Sequence, residues 1–226
     1  MQPYVIAIDG PSGSGKGSLA LRIARALGFH ILDSGAIYRL AALQALEAGV
    51  DLTDENAVLA VLGSFPIEFR SGEELTIPYL DGRDVALDIR QEQTAEAASV
   101  IAAHPAVRER LLQLQRDFFQ PPGLVADGRD MGSVVFPQAK IKLFLQASPA
   151  QRAKRRYNQL INMGLSASIR DLQREIEVRD ERDRTRSVSP LVPAPGAVVV
   201  ECSLMNRDQV FDLVMSHIDT VNNENG

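Results

Sequence analysis

The chain has 226 residues, 45% of them hydrophobic and 23% charged, with a formal net charge of −5. This is the composition of a globular protein of one or two domains. It argues against a disordered chain and against a nucleic-acid binder held by overall charge.

In chain order, Tyr4 to Ile8 is a short apolar run bounded by turn residues, which predicts a strand buried on both faces. Leu19, Ile23, Ala26 and Leu27 follow at helical spacing up to Gly28, a helix stop. Phe29 to Leu32 predicts a second strand, and Ile37 to Ala48 a second helix closed by Gly49. From Ile67 to Leu87 short alternating runs are separated by Ser71-Gly72 and Asp81-Gly82, the pattern of a small antiparallel insertion. Val107, Leu111, Leu114 and Phe118 form one stripe of a helix before Gly123. Further strands are predicted at Gly123 to Ala126, Ile141 to Leu145 and Ala197 to Glu201. Residues 151 to 186 are polar and helical in period, Val188 to Gly196 is a Pro-rich connector, and Asn222 to Gly226 is expected to fray. Alternation of strand and helix predicts an α/β fold with a parallel sheet covered by helices on both faces.

Cys202 is the only cysteine, which excludes an internal disulfide and a cysteine-based metal cluster; its apolar surroundings predict a buried, inert thiol. The N-terminus has no basic stretch leading into a signal-length apolar segment. No apolar run approaches the roughly 20 residues that span a bilayer, so no membrane partner and a cytoplasmic setting are expected.

Gly10-Pro11-Ser12-Gly13-Ser14-Gly15-Lys16 matches GxxxxGK, with a strand before it and a helix after it. Glycines let successive backbone N–H groups turn inward around phosphate oxygens, and the helix adds the positive end of its dipole. Lys16 can reach the β- and γ-phosphates. A plain glycine-rich turn explains the glycines but neither the lysine nor the strand-helix frame. Gly17 stands where Ser or Thr usually ligates magnesium, and Ser18 comes one place later.

Four later runs carry chemistry. In Asp33-Ser34-Gly35-Ala36-Ile37-Tyr38-Arg39, Asp33 or Ser34 can cap a helix, but capping gives no reason for Arg39. In Ala126-Asp127-Gly128-Arg129-Asp130, Asp127 stands where P-loop enzymes carry a strand-end magnesium carboxylate. Arg152, Lys154, Arg155 and Arg156 form a basic cluster, and Arg179 to Arg186 reads RDERDRTR. Between Gln151 and Pro190 ten Lys or Arg stand against six Asp or Glu. The plain alternative for such runs is a solvated helix laced with salt bridges. Phosphoryl transfer favours fixed cations, because its transition state spreads negative charge. The two runs together look like a helical lid, with about half of the arginines serving structure only.

DGPSGSGKGS, LDSGAIYR, ADGRDMGSVVFP and RDERDRTR, in this order and spacing, closely resemble bacterial cytidylate kinases, nucleoside-monophosphate kinases of the P-loop class. The resemblance runs from Tyr4 to about Glu201, and the insertion near residues 67 to 87 fits it. It implies a single P-loop domain: a core near 1-33, 104-150 and 187-226, a monophosphate-binding region near 34-103, and a lid near 151-186. It implies transfer of the γ-phosphoryl group of ATP to CMP or dCMP, giving CDP or dCDP and ADP.

The same resemblance implies roles for single residues. Gly10, Pro11, Ser12, Gly13, Ser14, Gly15, Lys16, Gly17 and Ser18 would bind ATP. Mg2+ would come with ATP and be held by phosphates, water and Asp127. Lys16, Asp127, Arg129 and Arg155 would serve catalysis. Arg39, Arg129 and Arg186 would hold the acceptor phosphate, Arg179 and Asp183 the sugar, with Ser34 and Tyr38 in the same pocket. Ser99, Arg108 and Asp130 would read the base. Cytosine offers an amino donor that Asp130 and Ser99 can accept, and a ring nitrogen and carbonyl that Arg108 can donate to. A monomer without nucleic-acid partners is expected. The rival readings are another small-molecule P-loop kinase, such as one acting on UMP or AMP, and a GTP-dependent switch. The chain lacks the Asn-Lys-x-Asp sequence that reads guanine.

Overall fold

The structure, a computed structural model, describes residues 2–71, 76–162, 164, 166–186 and 188–224. The chain divides into two compact units, residues 1–32 with 119–226, and residues 33–118.

The first unit is built on a five-stranded parallel sheet flanked by helices. Its strands are β1 (Tyr4–Asp9), β2 (His30–Asp33), β6 (Gly123–Gly128), β7 (Ile141–Gln146) and β8 (Val198–Glu201), in the order β2-β6-β1-β7-β8. Central β1 pairs in parallel with β6 and with β7, so every one of its residues is buried, as its unbroken apolar run requires. Helices α1 (Lys16–Leu27) and α8 (Arg207–Glu224) pack against this sheet through Leu19, Ile23, Val210, Val214 and Ile218 onto Ile6, Ile8 and Leu143. Ile6, Ile8 and Ile23 lose all their solvent exposure, which stabilises the fold by roughly 1.5–3 kcal/mol each. Helices α6 (Pro149–Asn162) and α7 (Ile169–Thr185) pair with each other in the same unit. The predicted fraying of the tail is corrected for Asn222 to Glu224. These residues continue α8, and the Asn222 side chain donates to Tyr4 Oη and accepts from Lys140. Asn225 and Gly226 lie outside the described residues.

The second unit holds α2 (Ser34–Glu47), α3 (Glu55–Val61), α4 (Glu92–Ile101) and α5 (Pro105–Arg116), with an antiparallel sheet of β3 (Ile67–Ser71), β4 (Thr76–Leu80) and β5 (Arg83–Asp84). Its core joins Ala36, Leu40 and Leu43 of α2 to Leu80, Val85 and Ile89. The predicted insertion is therefore present, although its third strand is only two residues long. Gly72 of the predicted Ser71-Gly72 turn and Leu75 at the head of the second run lie outside the described residues. Asp33 proves to be the cap of α2, accepting from Ala36 N–H at 2.9 Å, so the helix begins at Ser34, ahead of the predicted Ile37. The stripe predicted for α5 is also corrected. Phe118 lies past the helix end and packs edge-on against Phe69, while the polar Gln115 takes a buried position.

Candidate active site

Gly10 to Ser18 forms the turn between β1 and α1, and Gly15 caps the helix in a left-handed conformation. A side chain at Gly10 would place Cβ 2.1 Å from the carbonyl oxygen of Leu145, so only glycine fits there. Lys16 is buried with its ammonium 3.7 Å from Asp127 Oδ1 and 3.4 Å from the Pro11 carbonyl. Asp127 is the penultimate residue of neighbouring β6, paired in register with Ile8. At Gly17 a Cβ would lie 3.0 Å from Asp127 Oδ2, a close approach that the carboxylate would have to yield to by a few tenths of an ångström.

Three side chains hold the outside of this loop. Arg152 donates from one guanidinium nitrogen to the Ser12 carbonyl at 3.0 Å and is paired with Asp180 of α7. Arg155 donates to the carbonyls of Ser14 at 3.0 Å and Cys202 at 2.7 Å. The Cys202 thiol, buried as predicted, donates to the same Ser14 carbonyl at 3.3 Å. With carbonyls drawn outward, the loop is oriented from behind, and the Ser14 hydroxyl is buried without a hydrogen-bond partner among the described residues.

After β6, Arg129 donates to Asp183 Oδ2 at 2.5 Å and to the Gly10 carbonyl at 3.4 Å. Burial works against the Arg129 charge, but Asp183, with Asp127 and Asp180 behind it, outweighs that and raises its pKa above the ordinary value. Burial likewise opposes the Asp183 charge, yet Arg129, then Arg179 and Arg186, hold its carboxyl below 3.8. Asp130 is buried and caps a π-type turn covering Met131–Val135, its carbonyl accepting from Val134 and Val135.

In the second unit Tyr38 is buried on α2, and the Arg108 guanidinium lies 5.6 Å from the centre of its ring, within cation–π range. Arg108 also donates to the Ala102 carbonyl at 3.2 Å. Ser34 is buried and donates to Gln115 Oε1 at 2.7 Å, while Gln115 donates to Leu111. Arg39 is half-buried on α2, and the hydroxyl of Ser99 is buried without a hydrogen-bond partner among the described residues. A small polar group left unsatisfied in this way is a place a ligand donor can fill.

A phosphate loop with its lysine beside a carboxylate near the end of the adjoining strand is the arrangement of a P-loop nucleotide site, and comparison with known proteins names the family. The family model described as cytidylate kinase matches residues 6–220. The chain belongs to the cytidylate kinase family. A cytidylate kinase of Vibrio vulnificus is 48% identical over 219 residues, 97% of each chain. Those of Cupriavidus necator and Bordetella pertussis are 51% and 52% identical over 211 residues, 93% of each chain.

Within this member of the cytidylate kinase family, the structure brings Lys16, Asp127, Arg129 and Asp183 together in the first unit, and Ser34, Tyr38 and Arg108 onto neighbouring helices of the second. It also separates the basic cluster. Arg152 and Arg155 are committed to loop carbonyls, whereas Lys154 is exposed. Sequence reasoning missed two polar residues, Asp9 and Gln115. Asp9 had a visible signal, a carboxylate closing an apolar strand directly before the glycines. Gln115 had none, standing in an amphipathic helix among other glutamines.

Proposed function

We infer that the protein transfers the γ-phosphoryl group of ATP to CMP or dCMP, producing CDP or dCDP and ADP. The observation that carries the reaction type is the glycine cradle of residues 10–16 with Lys16 set against Asp127. Family membership over residues 6–220 supports the acceptor.

The acceptor oxygen needs no general base, since the second phosphate pKa lies near 6. Catalysis is alignment and charge neutralisation. Gly10 to Ser18 bind the triphosphate through backbone N–H groups, and Lys16 meets the charge that moves onto the leaving ADP. Arg129, already fixed by Asp183, holds the acceptor phosphate with Arg39 and Arg186. Arg179 and Asp183 bind the sugar, Ser34 and Tyr38 line the acceptor side, and Asp130, Ser99 and Arg108 read cytosine. Arg155 acts by orienting the Ser14 peptide, which refines its expected catalytic role. Among the described residues there is no group of three or more metal-ligating side chains. The hard oxygen donor at Asp127, beside the phosphate loop, suits a magnesium ion that keeps water and phosphate ligands. When bound, Mg2+ supplies charge neutralisation at the β- and γ-phosphates.

Acting as a cytoplasmic monomer without nucleic-acid partners belongs to the same proposal; no helix among the described residues is long and apolar enough to cross a membrane. A coupled ADP-release assay across all common nucleoside monophosphates tests the function. CMP and dCMP should exceed UMP and AMP in kcat/KM by at least about tenfold, which corresponds to about 1.4 kcal/mol of discrimination. Equal use of UMP or AMP would sink the reading.

A further inference from the structure

Asp9 is the last residue of β1, immediately before the phosphate loop, and is only 3% exposed. One carboxylate oxygen accepts the backbone N–H of Met131 at 2.7 Å, and the other accepts that of Gly132 at 2.8 Å. Burial opposes its charge and pushes its pKa up to about 6, against the pull of those two N–H groups and Lys16 and with a small push from Asp130. A carboxylate so placed is a poor way to end a strand, because an apolar residue would avoid the desolvation altogether. The two N–H groups it binds belong to the residues directly after Arg129 and Asp130. On the far side of the same turn the Asp130 carbonyl is held by Val134 and Val135. The turn is also tightly walled. A Cβ at Gly128 would meet the Met131 side chain at 2.7 Å, and one at Gly132 would meet Ala194 at 3.2 Å.

We propose that Asp9 is a positioning residue for acceptor recognition: its carboxylate clamps the Met131–Gly132 turn so that Arg129 and Asp130 are presented in fixed register with the loop that starts at Gly10. The clamp rests on the assignment of Asp130 to the base and Arg129 to the acceptor phosphate. One side chain thereby ties the donor loop to the acceptor-reading turn, across 122 residues of sequence. Asn at position 9 keeps one acceptor oxygen but turns an amide N–H₂ toward a backbone donor, while Ala keeps neither bond.

The test compares Asp9→Asn, Asp9→Ala and Asp130→Ala in the full chain, reading KM for CMP, KM for ATP, kcat, and the kcat/KM ratio of CMP over UMP. Asp9→Ala should raise the CMP KM by at least about tenfold and lower the CMP/UMP ratio, Asp9→Asn should do so less, and the ATP KM should move by under about threefold. An ATP KM that rises with the CMP KM would make Asp9 a general support of the fold and overturn the proposal. So would wild-type CMP KM and ratio in both Asp9 variants. Should Asp9→Ala not fold, Asp9→Asn decides alone, with circular dichroism as its control. Amide exchange in the unsubstituted protein adds an independent reading: Met131 and Gly132 should exchange slowly without ligands, and fast exchange there removes the clamp. If Asp130→Ala collapses the ratio while both Asp9 variants behave as wild type, the clamp alone fails. If Asp130→Ala leaves the ratio unchanged while the Asp9 variants raise the CMP KM, the clamp stands and base recognition moves to Ser99 and Arg108.

Discussion

The buried Lys16 ammonium lies 3.7 Å from Asp127 Oδ1 and donates to the Pro11 carbonyl at 3.4 Å, so its charge is held in place within the glycine loop. In the proposed function this ammonium meets the phosphates. Lys16→Ala should leave the far-UV circular dichroism unchanged and lower kcat by at least about a hundredfold, since a preorganised charge on the transferring group is removed. Near-normal turnover in a folded variant would remove the phosphate-loop assignment. Asp9 yields a different kind of expectation. Its folded pKa of about 6 lies above the 3.8 of an unperturbed aspartate, so between these values the native state binds more protons than the unfolded one. Stability contributed at this site therefore falls as pH rises from about 4 to about 6 and is level above, by about 3 kcal/mol in all. Asp183 acts in the opposite sense: its lowered pKa contributes stability that is present above 3.8 and lost only as pH falls below it. Denaturant titrations from pH 4 to 8 should show the Asp9 slope in the parent protein and its absence in Asp9→Asn; identical slopes would contradict the buried-carboxylate account.

At the scale of the element, α7 shows how one charged run serves two purposes. In RDERDRTR, Arg179 and Asp180, then Asp183 and Arg186 at three-residue steps from Asp180, are buried or half-buried, while Glu181, Arg182, Arg184 and Thr185 are exposed. The outer face carries the exposed Arg184–Glu181 pair, worth little to stability. The inner face carries the Asp183–Arg129 pair and the Asp180–Arg152 pair. The Arg152 side chain is 2% exposed, so it is both the tie from α6 to α7 and a tie from α6 to the phosphate loop. Arg152→Ala strands Asp180 and frees the Ser12 carbonyl, and should destabilise the protein by about 3–5 kcal/mol. The double variant Arg152→Ala/Asp180→Ala should lose less than the two single losses summed, because the stranded charge is gone. Thermal unfolding of the four proteins measures this, and strict additivity would mean that the pair does not couple.

For the whole molecule, the two units have separate cores, one of Ile6, Ile23, Leu143 and Val214, the other of Leu40, Leu80 and Ile89. A phosphotransferase must keep water from the γ-phosphoryl group, so closure should await both substrates. The outer parts of α6 and α7, residues 157–162 and 169–178, should slow in hydrogen exchange only when a bisubstrate analogue fills the donor and acceptor sites together. The turn around Arg152 to Arg155 should be protected already without ligand, because its guanidiniums are bound to loop carbonyls. Equal exchange in the free and liganded protein would make the helix pair a static solvated arm.

What the sequence determined by itself was everything encoded within a few neighbouring residues. The buried β1, the glycine turn with Lys16 and Asp127 near the end of β6 are local patterns and stand where their spacing placed them, whereas the helix after Asp33 starts three residues ahead of its predicted Ile37. Gly17 was visible as a departure, but the closeness of the Asp127 carboxylate, 3.0 Å from where a Cβ would stand, was not. Tertiary structure alone decided which polar groups meet. Asp9 reaches Met131 across 122 residues, Ser34 reaches Gln115 across 81, and the Cys202 thiol reaches the Ser14 carbonyl across 188. Period and composition report which face of an element is apolar; they carry no information about the partner of a single buried hydrogen bond. For the same reason RDERDRTR could be read as half structural without showing which half, until folding turned Asp180 to Arg152 and Asp183 to Arg129.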